Sequence, residues 1–141
     1  MITEYKELNI SCINSYIKVT ILECMIVDTS SILFALSNKI DIFDAIRKEL
    51  NMDPMVSKGV INELGKAASG SKANGKYAKV ALQLIDKYEI KTDPGSGYVD
   101  DWMLSKAKEA VNFCTNDTKL RKALREKGAN VYTISRNGEF R

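Results

Sequence analysis

Five carboxylates stand where one fold could gather them: Asp28, Glu63, the adjacent pair Asp100 and Asp101, and Asp117. Asp28 ends the short apolar run Cys24-Met25-Ile26-Val27, and Asp117 follows Val111-Asn112-Phe113-Cys114-Thr115-Asn116. In both places a helical pattern begins at once. Taken singly, each acid reads as well as a helix N-cap. Their repetition favours a site, because an acid at the C-terminal end of a parallel strand stands where open α/β sheets bind ligands. Carboxylates converging on one sheet edge repel one another unless cations lie between them. A set of oxygen ligands suits Mg²⁺ or Mn²⁺, ions that keep waters and bind phosphate oxygens. The chain has no histidine, which removes catalytic triads and the usual general base near neutral pH. It also lacks G-x-x-x-x-G-K-[ST], G-x-G-x-x-G and G-x-S-x-G loops. Carboxylates holding a divalent metal are then the best-supported route to catalysis.

Periodicity ranks the paired acids. Asp100 precedes Met103, Leu104 and Ala107 at three-, four- and seven-residue spacing, so it shares their sheet-facing stripe, whereas Asp101 is turned away by about 100°. Asp100 is therefore given the inner role and Asp101 that of a second ligand or exposed neighbour. A first-turn acid favoured by the helix dipole is the competing explanation for both.

The elements that must position these acids alternate along the chain. After the strand at 24–27, Ile32, Leu33 and Leu36 open a helix that Asn38 closes, and Ile42, Phe43, Ile46 and Leu50 mark another. Asp53-Pro54 punctuates, and Met55-Val56-Ser57 forms a strand. Val60, Ile61, Leu64, Ala67 and Ala68 stripe a helix with Glu63 near the stripe's edge, and Gly70-Ser71-Lys72-Ala73-Asn74-Gly75 is a polar break. Tyr77, Val80, Ala81, Leu84 and Ile85 fit a helix closely. Glu89-Ile90-Lys91 reads as a brief strand before a loop over 92–97, and Asp100 opens the next helix. Leu120 and Leu124 share one face of a basic helix that Gly128 ends, and Val131-Tyr132-Thr133-Ile134 is the last strand. Strands alternating with helices predict an α/β fold: a mostly parallel sheet of about five strands with helices on both faces.

At 141 residues the chain suits one domain. Apolar and charged fractions of 45% and 28% are those of an ordinary globular protein, and no apolar run approaches a membrane span. Three cysteines without CxxC spacing argue against a disulfide framework and a zinc site, and a reducing cytoplasm fits them best. Because Met25 stands directly before Ile26-Val27-Asp28 in the first core strand, residues 1–23 read as an N-terminal extension, despite the strand-like run Ile17 to Leu22. Residues 24–141 read as a single domain. A net charge of +3 announces no nucleic-acid partner by itself.

Four segments, taken in order, resemble the PIN-domain ribonucleases. They are Val27-Asp28-Thr29-Ser30-Ser31, Val60-Ile61-Asn62-Glu63-Leu64, Tyr98-Val99-Asp100-Asp101 and Cys114-Thr115-Asn116-Asp117. The resemblance covers about Met25 to Ile134 and is nearest the archaeal and eukaryotic (Fcf/Utp-like) branch that processes ribosomal RNA. VapC-type toxins share the fold and the acids, usually with a single third acid. The resemblance implies a PIN-like, 5′-nuclease-like fold and metal-dependent endonucleolytic cleavage of RNA. Asp28, Glu63, Asp100 and Asp117 would be catalytic and, with Asp101, would hold one or two Mg²⁺ or Mn²⁺ ions that activate water and offset phosphate charge.

Thr29, Ser30, Thr115 and Asn116 are candidates to orient those carboxylates, with helix capping the more ordinary role for Ser30 and Thr115. Lys66, Lys72 and Lys76 after Glu63, and Lys119, Arg121 and Lys122 after Asp117, are candidates to hold the RNA backbone, against the ordinary reading of a solvated helix face. Tyr98 and Trp102 flank the paired acids, and packing of the loop is expected of both ahead of base stacking. Cys24 and Cys114 read as strand residues without chemistry. RNA is the expected partner. A homodimer, an antitoxin or a ribosome-assembly protein are the further partners in view, and no membrane is. The competing functions are a toxin with the same chemistry and a non-catalytic RNA- or protein-binding module. An aspartyl-phosphatase reading is disfavoured because Ser30 stands where a second acid would be needed.

Overall fold

Each strand but the last is short and leads into a helix, so the chain returns through a helical crossover to pair the next strand in parallel. The computed structural model describes residues 22–141 apart from 71, 96–97 and 108–110. The predicted extension at 1–23 lies outside the described residues except for Leu22 and Glu23. Five strands, β1 (Cys24–Val27), β2 (Asp53–Ser57), β3 (Lys91–Asp93), β4 (Asn112–Cys114) and β5 (Asn130–Tyr132), form one sheet in the order β3-β2-β1-β4-β5. Every neighbouring pair is parallel. Six helices are described: α1 (Thr29–Ser37), α2 (Ile42–Glu49), α3 (Lys58–Ser69), α4 (Asn74–Lys87), α5 (Val99–Lys106) and α6 (Thr118–Glu126). The fold is α/β, as expected.

Successive residues of a strand point to opposite faces. Met25, Ile26 and Val27 of β1 and Asn112, Phe113 and Cys114 of β4 are all buried, so the centre of the sheet is covered on both sides. Phe43, Ile46, Leu64, Met103 and Leu124 bring the helices onto that core. None of the described helices is long and apolar enough to cross a membrane.

Three boundaries differ from the sequence reading, each for a local reason. The strand expected at Glu89-Ile90-Lys91 begins only at Lys91. Helix α4 runs to Lys87, Glu89 takes a left-handed backbone (φ 50°), and the Ile90 amide still donates to the Ile85 carbonyl at 3.0 Å. Pro54, read as punctuation, lies inside β2. The Asp53 amide donates towards β1, to the Glu23 carbonyl, so the nitrogen of Pro54 faces the β3 side, where pairing starts one residue later at Met55. Strand β5 stops at Tyr132, and Ile134 instead bridges antiparallel to Phe140 as the C-terminus folds back.

Two glycines make opposite predictions. Gly65 sits inside α3, and a Cβ there would meet nothing. Gly95, in the loop leading to α5, lies against the buried Trp102 indole, into which a Cβ would be driven. Gly65→Ala should therefore stabilise the fold by about 0.5–1 kcal/mol, and Gly95→Ala should destabilise it by about 1–3 kcal/mol through overpacking. Thermal unfolding of the two variants checks both signs. A Gly95→Ala chain as stable as the unmutated one would contradict the close approach.

Candidate active site

From β1 the chain moves outward to β2 and β3, then returns to the other side of β1 for β4 and β5. The strand order therefore reverses between β1 and β4, which is where open parallel sheets leave a crevice at their C-terminal edge. Asp28 leaves β1 at this point and Thr115-Asn116-Asp117 leaves β4 beside it. The Asp28 amide donates to the Cys114 carbonyl at 2.9 Å, and the Thr115 amide to the Tyr132 carbonyl at 3.0 Å.

Asp28 is buried, and its Oδ2 accepts two hydroxyl hydrogen bonds of 2.8 Å, from Ser30 and from Thr115. Each hydroxyl oxygen in turn accepts a backbone amide: Ser30 from Asn116 at 3.2 Å, and Thr115 from Asp117 at 3.1 Å. Ser30 and Thr115 are thus tied to Asp28 rather than acting as helix caps. Asn116 joins three segments, accepting from Ser31 and from the Ile134 amide and donating to the Ile134 carbonyl. Ser31 was not singled out from the sequence. The one available signal was a polar residue at a position that helical spacing turns inward, and it is fully buried.

Glu63, on α3, accepts from the Thr29 hydroxyl at 2.6 Å through Oε1. Asp117 caps α6, its Oδ1 accepting the amides of Lys119 and Leu120 at 2.9 and 3.2 Å. Asp28, Glu63 and Asp117 therefore each commit one oxygen to the protein, and the second oxygen of each accepts no hydrogen bond from the described residues. Asp100, in the first turn of α5, has its carboxyl held above the ordinary aspartate value of 3.8. Burial is the main cause, followed by the charges of Asp28, Asp117, Glu63 and Asp101. Those charges place the other four acids within electrostatic reach of Asp100. The buried stripe of α5 is Val99, Trp102 and Met103, continued by Ala107 just past its end; Leu104 is only half-buried, and Asp100, expected on that stripe, is exposed like Asp101 because Val99 and Trp102 take the inward positions.

The donor set fits a hard divalent cation. It is all oxygen, with a free carboxylate oxygen on each of three separate elements and a charge excess that a cation would relieve. Among the described residues no three histidine, cysteine or acidic side chains stand close enough together to hold a metal ion.

Lys66 is exposed one turn beyond Glu63 and lines a cavity of about 330 Å³ with Gly59, Asn62, Glu63 and Tyr98. Lys72, Lys76, Lys119 and Lys122 are exposed, and Arg121 is half-buried. Trp102 packs in the core, as expected of both aromatics, but Tyr98 does not: it is 81% exposed. The residue after it, Val99, takes the buried position of that turn. Asn62 and Gly59, which line the same cavity, carry neither the charge nor the aromatic ring that marks a binding residue in a sequence. Cys114 is buried, and burial pushes its thiol up to about 12, which leaves it no nucleophilic role near neutral pH.

Residues 25–137 match the family model described as a PIN like domain. No curated protein matches the chain. Among solved structures, the one titled "Structure of the PIN domain endonuclease Utp24" is similar at 24% identity and a TM-score of 0.66, covering 79% of this chain and 85% of that one. A domain of a functionally unknown protein from Methanocaldococcus jannaschii DSM 2661 is similar at 19% identity and a TM-score of 0.57, covering 80% and 91%.

The raised Asp100 carboxyl has a sign that can be measured. An acid whose folded value lies above its unfolded one costs stability as pH rises through the window that opens near 3.8. Asp100→Asn should therefore raise the unfolding midpoint by a few degrees at pH 7 without divalent ions. The gain should shrink towards zero as pH falls to the bottom of that window. An equal gain at pH 7 and pH 3.5, or a loss at pH 7, would show that Asp100 is not crowded by charge.

Proposed function

The chain belongs to the family of PIN-like domains, and from that premise we propose that it is a Mg²⁺- or Mn²⁺-dependent endoribonuclease that hydrolyses RNA phosphodiester bonds in ribosomal or other RNA processing. The observation that carries the reading is the arrangement of acids at the strand-order reversal. Three carboxylates, each pinned through one oxygen, leave the other available beside Asp100. Asp28, Glu63, Asp100, Asp101 and Asp117 would hold the ion. When bound, it would lower the pKa of water and offset charge on the phosphate.

The remaining roles belong to the chain's own groups. Ser30 and Thr115 fix the Asp28 carboxylate against rotation, and Thr29 does the same for Glu63. Asn116 locks the end of β4 to α1 and to Ile134, which holds Asp117 in register with Asp28. Lys66 beside Glu63, with Lys72, Lys76, Lys119, Arg121 and Lys122 farther out, offers positive charge to the RNA backbone. The fold likeness to a PIN domain endonuclease supports the reaction class, and the Asp100-Asp101 pair favours an RNA-processing role over a toxin's.

Asp28→Asn and Asp117→Asn should each lower RNA cleavage by more than about 100-fold, the upper range for losing a residue that merely orients a ligand. Asn retains N-capping ability, so helix α6 should survive the second change with its melting temperature nearly intact. EDTA should abolish cleavage by the unmutated chain, and Mn²⁺ should restore it. Full activity in EDTA, or in both variants, would sink the assignment.

A further inference from the structure

β5 is an edge strand, and an edge strand presents backbone groups that no neighbouring strand pairs. The Tyr132 carbonyl accepts the Thr115 amide, so Tyr132 faces β4, and its neighbours Val131 and Thr133 face outward. Both outward positions are occupied by arginine residues. Arg125 on α6 donates from Nη2 to the Val131 carbonyl at 3.0 Å, and Arg141 exchanges backbone hydrogen bonds of 3.0 and 2.9 Å with Thr133. The two attachment points are two residues apart on the strand, about 7 Å. Arg121 lies one helical turn from Arg125, about 6 Å towards Asp117. Arg136 stands at the turn of the C-terminal hairpin, which the Gly138 amide closes onto the Ser135 carbonyl at 3.0 Å. Arg125, Arg136 and Arg141 are exposed and Arg121 is half-buried.

This charge is unbalanced by its surroundings. Residues 118–141 hold seven Lys and Arg against Glu126 and Glu139, a net charge of +5 in a chain whose total is +3. Among the described residues the ion pairs use Arg47, Lys48, Lys91 and Lys106, and none of the seven cations after Asp117 is in one. Charge alone does not name a partner. A protein interface usually has an aromatic or apolar anchor at its centre. The large apolar side chains left exposed are Val80 on α4 and Tyr98 at the start of α5, neither of them on this flank. Guanidinium groups without an apolar anchor fit a phosphate backbone, which arginine grips through paired N–H donors without reading sequence.

We propose that Arg125, Arg136 and Arg141, on the outer flank of β5, form a second RNA contact that holds phosphates of the substrate away from the cleaved bond. The inference rests on the nuclease reading above and adds a site outside the acidic cluster. Arg125 is eight residues beyond Asp117, about 12 Å along α6. Its bond to Val131 uses one of the five N–H donors of the guanidinium and fixes where the group stands. The flank and the acidic edge then differ in what they need. The acids repel RNA until a cation lies between them, whereas the arginines attract it with no ion present.

The test is RNA binding by the full chain in EDTA, followed by fluorescence anisotropy over a range of NaCl concentrations, with an RNA of mixed sequence. The unmutated chain should bind, and its affinity should fall steeply as salt rises. Arg136→Gln with Arg141→Gln, which changes exposed side chains alone, should lower the slope of log Kd against log salt by about 2, and adding Arg125→Gln by about 3 in all. Lys at the same three positions should keep the slope, because the contact is to charge. The double variant should melt with the unmutated chain, since Arg141 is held through its backbone and Arg136 is exposed. In Mn²⁺ the triple variant should cleave with a raised KM and an unchanged kcat. If the chain cleaves RNA and the variants keep the unmutated slope and KM, the second contact is wrong and the nuclease reading stands. If arginine-dependent binding appears in a chain that cuts nothing, the contact stands and the nuclease reading falls. If poly-glutamate binds this flank and RNA does not, the partner is an acidic protein and the proposal is overturned.

Discussion

A buried carboxylate is expensive unless the protein replaces the water it loses. In this fold the replacement is done by two hydroxyls on different segments. Ser30 and Thr115 each donate a hydrogen bond to Oδ2 of Asp28 and each accept one from a backbone amide, that of Asn116 and that of Asp117. Two of those four hydrogen bonds, from Thr115 to Asp28 and from the Asn116 amide to Ser30, tie the end of β1 to the end of β4, and the other two hold the hydroxyls within their own segments. Because every donor is oriented by accepting something else, neither hydroxyl can turn away without leaving an amide unpaired. The edge of the sheet is thereby fixed by polar bonds, while the hydrophobic core behind it, from Met25 to Phe113, fixes only which strands are neighbours.

Around that point the acids crowd. Helices α1, α5 and α6 all begin at the same edge, with Asp28 and Asp117 as their N-cap residues or, for α5, Asp100 in the first turn. The partial positive charge of a helix N-terminus favours an anion, so three helix starts offset part of the repulsion. The Asp100 carboxyl stays raised even so, through desolvation first and the neighbouring acids second. Proteins commonly tolerate such local conflict at functional sites and recover stability elsewhere. Here the recovery lies in the fully buried layer formed by Ile32, Phe43, Ile46, Val56, Leu64 and Met103.

Periodicity exposed much of this in the bare sequence. The apolar runs before Asp28 and Asp117 are strands, and the spacings in α1, α3, α4 and α6 place them as expected. The misses share a cause: they depend on contacts outside the window being read. Pro54 is admissible in β2 because β3 starts late, which no local pattern reveals. Glu89 leaves the helical region to end α4, although glutamate carries no signal for a left-handed turn. On α5 the inward stripe is set by Trp102 packing under Gly95, so it runs one position earlier than Met103, Leu104 and Ala107 suggested. The hydroxyls of Ser30 and Thr115 are recognisable as polar residues near a helix start, but their common target lies 85 or more residues away from one of them. Tyr98 was assigned to packing on residue type alone, and only the fold shows that Val99 and Trp102 had already filled the space.

An acidic edge and an RNA backbone repel each other, and on the proposed reading that repulsion is part of how the enzyme works. The five carboxylates that would hold the cation also oppose the approach of phosphate as long as no cation is present. A cation between them changes the sign for both partners, so its binding strengthens RNA binding. By linkage, RNA strengthens cation binding by the same factor. Lys66 and the basic start of α6 then serve to draw the strand towards a site whose own charge would otherwise turn it away. Positive charge beside the acids and a bound cation between them are two halves of one electrostatic requirement, and the sequence supplies the first half on the helices that follow Glu63 and Asp117.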